Sequence, residues 1–148
     1  MYKEYLNVIL TDNVQSNVVS FRDIFNDLKI SVKTQVKESY EELEDYLGKD
    51  GNIIPDILFL NFDCLNKHRL ELVNQWRWHP RMDNMTIAVF AEALSDSEIE
   101  DLYVNGVNIY IKKPADYNDL KKVISEVVMI NWQYYTSGLN KSNFIMKV

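Results

Sequence analysis

Short apolar runs alternate with amphipathic helical segments five times along the chain, and this alternation is the feature that most constrains the fold. The residues Ile57-Leu58-Phe59-Leu60 are apolar at consecutive positions, so both faces of that strand should be buried, as in the middle of a parallel sheet. Strand–helix alternation with short connections predicts an α/β fold, with a doubly wound parallel sheet and helices on both faces. The predicted strands lie at residues 6–10, 30–37, 57–60, 85–91 and 107–111.

Local signals mark several helix ends. Ser95 followed by Glu98 is the pattern of a capping box and predicts a helix start. Gly48 and Gly106 predict the ends of the second and fourth helices, because glycine commonly terminates a helix. The lysines of the second predicted strand suit a sheet edge, where charge discourages pairing with other chains.

The last helix is predicted from about Asp116, and residues 132–148 show no clear period. We therefore predict one domain over residues 1–131 and an aromatic tail over residues 132–148. The tail includes Trp132, Tyr134, Tyr135 and Phe144, whose apolar area is unfavourable in water. We expect it to pack on the domain or on a partner chain.

Composition excludes several classes of protein. The 148 residues include 16 Lys plus Arg and 22 Asp plus Glu, a net charge of −6 that argues against a nucleic-acid partner. There is no apolar run of membrane-spanning length, and residues 1–5 do not resemble a secretory signal, so we expect a cytoplasmic protein with no membrane partner. The single cysteine, Cys64, cannot form an internal disulfide, and we expect an inert thiol. His68 and His79 are too few and too scattered to predict a metal site.

Polar residues follow four of the predicted strands. In a parallel α/β sheet, ligands and catalytic groups lie at the carboxyl ends of the strands. The positions of interest are Asp12-Asn13, Asn61 to Asp63, Ala91-Glu92 and Lys113-Pro114.

Two segments resemble the receiver domain of two-component response regulators. They are the Pro55-Asp56-Ile57-Leu58-Phe59-Leu60-Asn61 run and the Gly106-Val107-Asn108-Ile109-Tyr110-Ile111-Lys112-Lys113-Pro114 ending. The resemblance covers roughly residues 5–131. It implies a flavodoxin-like (βα)5 fold with strand order 2-1-3-4-5, and a role in bacterial phosphorelay signal transduction.

The resemblance also implies a phosphoryl-transfer site, and only part of that site is present. Asp12 matches one of two acidic residues that hold Mg²⁺ in the family, but its neighbour is Asn13. The position of the phosphoaccepting aspartate is Asn61, and Asp63 stands where the family supplies a backbone carbonyl to the metal. An amide is a poor nucleophile, so Asn61 should not form an acyl phosphate.

The remaining two positions are divided. Lys113 matches the lysine that neutralises the phosphoryl group, whereas the hydroxyl position falls on Ala91, or on Phe90 if the following loop is one residue longer. Because few carboxylates remain, we expect no cofactor and at most weak Mg²⁺ binding at Asp12, Asn13 and Asp63. We predict a structural cluster of Asp12, Asn61 and Lys113 in place of catalysis.

These departures predict a pseudo-receiver, a non-enzymatic module that acts through protein–protein interaction. One alternative is a working receiver phosphorylated at Asp63 with weak Mg²⁺ binding. A further alternative is a flavodoxin-like small-ligand binder. It is the weaker one because residues 11–16 contain no glycine that would let the backbone approach a phosphate.

The resemblance suggests where partners would bind. Tyr110 matches an aromatic switch position on the fifth strand, and we expect Tyr103, Tyr110 and Trp132 to belong to an interaction face formed by the fourth helix, fifth strand and fifth helix. The expected partner is a histidine kinase or another regulator, with a homodimer through this face or the tail as a further possibility. Only 17 residues follow Asn131, so we expect a stand-alone module without an output domain.

Overall fold

The computed structural model describes residues 4–64, 69–114, 116–137 and 146–147. Strands and helices alternate along the chain, with one short 3₁₀ turn at Phe62–Cys64. The strands are β1 Leu6–Thr11, β2 Val32–Lys37, β3 Ile57–Asn61, β4 Thr86–Ala91, β5 Ile109–Lys112 and β6 Met146–Lys147. The helices are α1 Gln15–Asp27, α2 Tyr40–Leu47, α3 Arg69–Trp78, α4 Asp96–Val104 and α5 Tyr117–Ser137.

The strands form one sheet in the order β2-β1-β3-β4-β5-β6, and every pair is parallel. The order of the first five confirms the predicted flavodoxin-like arrangement. All residues of β3 are buried, as its continuous apolar run predicts for a central strand. The lysine-rich β2 lies at one edge of the sheet, also as predicted.

The sheet separates two apolar layers. On one face, α2, α3 and α4 bury residues such as Leu43, Trp76 and Leu102 against the strands. On the other face, α1 and α5 bury residues such as Phe21 and Val127. Because helices cover both faces of the sheet, the polar groups of the strands are accessible to solvent or a ligand only at the strand ends and sheet edges.

Two helix starts are fixed by serine caps. The predicted capping box of α4 is confirmed, since the Ser95 hydroxyl accepts from the amide of Glu98 and the Glu98 carboxylate accepts from the amide of Ser95. The Ser39 hydroxyl accepts from the amide of Glu42 at the start of α2. These caps satisfy amides that the first helical turn leaves without backbone partners.

A half-buried arginine joins α3 to the amino ends of β4 and β5. Arg77 donates to the carbonyl oxygen of Gly106 through Nη2 at 2.6 Å and to Oδ1 of Asn108 at the same distance. Its Nη1 donates to the carbonyl oxygens of Asp83 and Met85, each at 2.9 Å. Burial lowers the pKa of Arg77, and the nearby carboxylate of Asp83 partly offsets this. Gly106 sits against this side chain with a positive φ of 103°.

The fifth helix is longer than the sequence predicts. It continues through residue 131 to Ser137, so the predicted boundary between domain and tail falls inside α5. Trp132 follows Val128 at helical spacing and packs against the apolar layer of α1 and α5. The neighbouring Asn131 is fully buried, and its Oδ1 accepts from the Thr86 hydroxyl at 2.7 Å.

Part of the predicted tail forms a sixth strand. Met146 and Lys147 pair with Ile109 and Tyr110 of β5. Phe144 and the segment 138–145 lie outside the described residues, as do the side chains of Tyr134 and Tyr135. Whether the tail contacts a partner chain stays a prediction.

The two tryptophans of α3 have different environments. Trp76 is buried and stacks on Tyr40, with ring centroids 6.3 Å apart and planes 8° from parallel. Trp78 is 80% exposed. Within the described ranges, no helix combines the length and the apolar character needed to cross a membrane.

Candidate functional site at the carboxyl ends of the strands

The parallel sheet brings the polar residues that follow β1, β3, β4 and β5 to one edge. Asn61 ends β3, Ala91 ends β4, and Asp12 and Lys113 come directly after β1 and β5. The amide of Lys113 donates to the carbonyl oxygen of Ala91 at 2.6 Å, which fixes the two neighbouring strand ends together. The predicted meeting place of these residues is therefore the one observed.

A cleft of about 330 Å³ opens between these strand ends and the loops before α1 and α2. It contains three carboxylate-bearing residues and one lysine among otherwise neutral groups. Its lining residues are Asn13, Val14, Asn17, Glu38, Ser39, Tyr40, Glu41, Asn61, Asp63 and Lys113. The cleft is therefore polar and predominantly acidic.

Asp12 is fully buried and is bonded to the start of α1. Its Oδ1 accepts from the amide of Val14 at 2.9 Å, and its Oδ2 accepts from Nδ2 of Asn17 at 3.0 Å. A carboxylate next to the amino terminus of a helix is favoured by the helix dipole. Both carboxylate oxygens of Asp12 thus accept hydrogen bonds from residues at the start of α1.

Asn61 is also bonded locally. It is 2% exposed, and its Oδ1 accepts from the amide of Asp63 at 3.0 Å. This bond is the side-chain turn that Asn and Asp commonly make with the residue two positions on. It holds the carbonyl half of the Asn61 amide toward the β3 loop.

The predicted cluster of Asp12, Asn61 and Lys113 is therefore wrong. Within the described residues, no ion pair joins Asp12 to Lys113, because Asp12 is satisfied by α1 and Asn61 by its own loop. Lys113 is half-buried, and its Nζ lies 5.9 Å from the centroid of the Phe90 ring. Asp12 and Asn61 form hydrogen bonds with residues close to them in sequence, in place of the contact with Lys113 that the strand order suggested.

The residues do not fit a tightly bound Mg²⁺ ion. The cation prefers several carboxylate oxygens in near-octahedral geometry. At this edge, Asp12 is the one buried carboxylate, Asn13 and Asn61 are neutral, and Asp63 is exposed. Across the described ranges, no group of three or more metal-ligating His, Cys, Asp or Glu side chains forms.

The hydroxyl position carries no hydroxyl group. Ala91 is 4% exposed at the end of β4, and Phe90 belongs to the opposite apolar layer with Phe21, their ring centroids 5.1 Å apart. Of the two residues left open from the sequence, Ala91 is the one whose side chain lies on the α2–α3–α4 face.

The three residues expected at an interaction face are divided between layers. Tyr110 is 3% exposed, and its hydroxyl donates to the carbonyl oxygen of Glu92 at 2.9 Å, so it holds the β4–α4 loop and is not itself a surface residue. Tyr103 is half-buried on α4, where burial raises its pKa and a hydrogen bond with the backbone of Tyr110 partly offsets the rise. Trp132 packs on the other face of the sheet.

Sequence reasoning missed one residue that lines the cleft, Asn17, and one buried residue at the end of β1, Thr11. Asn17 binds Asp12, and its position in the first turn of α1 was the available signal, since side chains there lie beside the residues that precede the helix. Thr11 ends β1 fully buried, and its hydroxyl has no hydrogen-bond partner among the described residues. The apolar residues that predict β1 give no indication that the Thr11 hydroxyl is buried without a partner.

The cysteine and the two histidines of the chain lie on either side of α3. Cys64 ends the 3₁₀ turn, but its side chain lies outside the described residues, as does all of His68. His79 is exposed after α3, and its Nδ1 accepts from the amide of Arg81. The expectation of an inert thiol stays a prediction.

The sequence and the fold were compared with known proteins. A scan against protein-family models finds no match. A curated relative, the probable methanogenesis regulatory protein FilR2 of Methanothrix harundinacea, is 26% identical over 92 residues, or 62% of this chain. The match spans 56% of that relative, so this chain corresponds to little more than half of its length.

Solved structures match over nearly the whole chain. The phosphorylated cyanobacterial phytochrome response regulator RcpA superposes with a TM-score of 0.75 at 16% identity, covering 92% of this chain and 97% of that one. The Mn²⁺-bound response regulator Rcp1 gives 0.74 at 13% identity, covering 92% and 98%. The response regulator RPA3017, from red-light signalling of R. palustris, gives 0.74 at 17% identity, covering 91% and 96%. The chain has the fold of response-regulator receiver domains.

Proposed function

We propose that this chain is a receiver-like regulatory module that is not phosphorylated at position 61 and acts by binding other proteins. The observation that carries the proposal is Asn61, a buried amide at the end of the central strand, with its oxygen bonded to the amide of Asp63. In the receiver family this position holds the phosphoaccepting carboxylate. An amide has neither the negative charge nor the nucleophilic oxygen that the reaction needs.

The rest of the cleft supports the same proposal. Phosphoryl transfer depends on positioning and on neutralising developing charge, commonly with a metal ion. Here Asp12 is bonded to α1, Ala91 offers no hydroxyl, and Lys113 remains as the one matching cation. We propose that Mg²⁺ binds weakly and that the module has no catalytic role of its own.

The comparisons support a signalling context. The matched structures are named as response regulators, and the curated relative is named as a probable regulatory protein. We propose a cytoplasmic module whose partner is a histidine kinase or another regulator. A homodimer through the face of α4, β5 and α5 stays a prediction.

A second candidate function is a working receiver that uses Asp63. The observation in its favour is that Asp63 is exposed and lines the same cleft as Lys113, so a carboxylate and a charge-neutralising cation share one opening. Against it stands the shortage of metal ligands at the strand ends.

One experiment separates the two candidates. The purified chain and an Asp63→Asn variant are incubated with Mg²⁺ and acetyl phosphate, and the intact mass is measured; a receiver domain with a complete site serves as the control for the reagents. We expect no gain of a phosphoryl group on either form. A gain on the natural chain that disappears in Asp63→Asn would overturn the proposal and establish the second candidate.

A further inference from the structure

The two edges of the sheet are protected from other chains in different ways. Edge strands expose backbone donors and acceptors that pair readily with another strand, and lysines along the edge discourage such pairing. β2 carries Lys33 and Lys37, whose ammonium groups lie 3.8 Å and 4.5 Å from the ring centroids of Tyr5 and Tyr46. This edge therefore has charged side chains along its length.

β5 has no comparable charge along its middle. Its first three residues, Ile109, Tyr110 and Ile111, are all at most 3% exposed, and only Lys112 at the end of the strand is charged. What covers this edge is β6, in parallel register with Ile109 opposite Met146 and Tyr110 opposite Lys147. β6 thus takes the place that lysines occupy at the other edge.

The backbone direction of β5 shows which groups β6 covers. The amide of Asn108 donates to the carbonyl oxygen of Ile87 on β4, at 2.9 Å. Because backbone groups of successive strand residues point to opposite sides, the amide and carbonyl of Ile109 face away from β4 and toward β6. In this register the amide of Lys147 is directed to the carbonyl oxygen of Ile109, and the amide of Ile111 is directed to the carbonyl oxygen of Lys147.

We propose that β6 is a built-in edge strand that keeps β5 closed, and that the edge it leaves open on removal pairs with β5 of a second copy of this chain. The second copy is favoured because an uncovered β5 edge presents the same backbone donors and acceptors in both copies, with no charged side chain in the middle of the strand to oppose pairing, so a twofold axis can pair it with itself. Such self-complementary contacts are the usual basis of homodimers. The inference depends on strand geometry and does not depend on whether the cleft is phosphorylated.

The test uses a matched pair of variants at one position. Lys147→Pro removes the amide directed to Ile109, whereas Lys147→Gln removes the same charge and keeps the amide. A chain ending at residue 145 gives an independent removal of β6. Amide hydrogen exchange at Ile111 reports whether the edge is covered, and sedimentation velocity over a range of concentrations reports association.

We expect the natural chain and Lys147→Gln to be alike in both measurements. Lys147→Pro and the shortened chain should show Ile111 exchange accelerated about tenfold or more at low concentration, and a monomer–dimer equilibrium as concentration rises. Unchanged Ile111 exchange in both altered chains would overturn the edge-strand role. Faster exchange without dimers, or association into larger species only, would overturn the assignment of a second copy's β5 as the occupant.

Discussion

At position 61, an amide in place of a carboxylate changes the site in two ways. It removes a negative charge from the carboxyl edge of the sheet, and it leaves an oxygen that is already bonded to the amide of Asp63. Asp12 is occupied in the same manner by Val14 and Asn17. The polar groups at this edge therefore stabilise loops, and the chemistry suggested by the fold has few free groups to work with.

Gly106 is a single position where the backbone permits only glycine without strain. Its φ is +103°, and an added Cβ would lie 3.1 Å from Cβ and Cγ of Arg77. We expect Gly106→Ala to lower the free energy of unfolding by about 1–3 kcal/mol. The matched control is Gly51→Ala, where an added Cβ meets nothing within 4 Å. Urea unfolding measures both, and equal stabilities of the two variants would contradict this account.

Tyr103 predicts a pH dependence of stability. Its pKa is raised above the ordinary 10.0, first by burial, so the folded state favours the neutral phenol. The stabilisation is complete below the unfolded pKa and is lost as pH rises through 10.0 toward the higher folded value. The unfolding free energy of the natural chain minus that of Tyr103→Phe should therefore decrease above pH 10.0, because only the natural chain has a phenol to ionise at this position. A difference that stays constant or grows there would contradict the prediction.

At the scale of elements, the sequence predicts what depends on burial and local signals. Apolar runs or apolar–polar alternation located the first five strands, and the Ser95–Glu98 spacing located the start of α4. The sequence did not predict β6, because a strand of two residues is too short to show a periodic pattern. It also did not predict that α5 continues past Asn131, because the aromatic residues that follow show no clear helical period. The hydrogen-bond partners of Asp12 were not predicted either, because its carboxylate accepts from Val14 and Asn17 at the start of α1 and not from the more distant Lys113.

The capping box of α4 gives a prediction for one helix. Ser95→Ala removes the hydroxyl that accepts from the amide of Glu98, and we expect a loss of about 1 kcal/mol in unfolding free energy. Ser97 is exposed inside the same helix, where alanine is the better helix former, so Ser97→Ala should be neutral or slightly stabilising. Thermal or urea unfolding of the pair measures the cap, and a Ser95→Ala variant as stable as Ser97→Ala would exclude its importance.

At the scale of the whole molecule, the acidic charge contributes little to a metal site. The net charge is −6, yet the buried part of the strand-end edge has Asp12 as its single carboxylate, and many of the other acids lie on exposed helix faces. The described part of the molecule is a receiver sheet with an extended α5 and an added strand. Its fold is that of response-regulator receiver domains, and the buried part of its strand-end edge holds one carboxylate.

The extent of α5 predicts where the folded unit ends. A chain of residues 1–131 loses Trp132 from the layer packed by α1 and α5, whereas a chain of residues 1–137 keeps it. We expect the shorter chain to be less stable by about 2 kcal/mol, from the apolar area no longer buried. Both chains lack β6, so the comparison isolates the last turns of the helix. Equal urea midpoints would show instead that residue 131 is a sufficient boundary.

The central claim, that the strand-end cleft does not respond to phosphorylation, is tested most directly by NMR with Mg²⁺ and beryllofluoride, which together mimic the phosphorylated state of a receiver. The amide resonances of Asn61, Asp63, Ala91 and Lys113 report on the cleft from the ends of three strands, β3, β4 and β5. We predict that the spectra with and without the mimic superimpose at saturating reagent. Saturable shifts of these four resonances would show a site that binds metal and phosphoryl mimic, and would contradict the account.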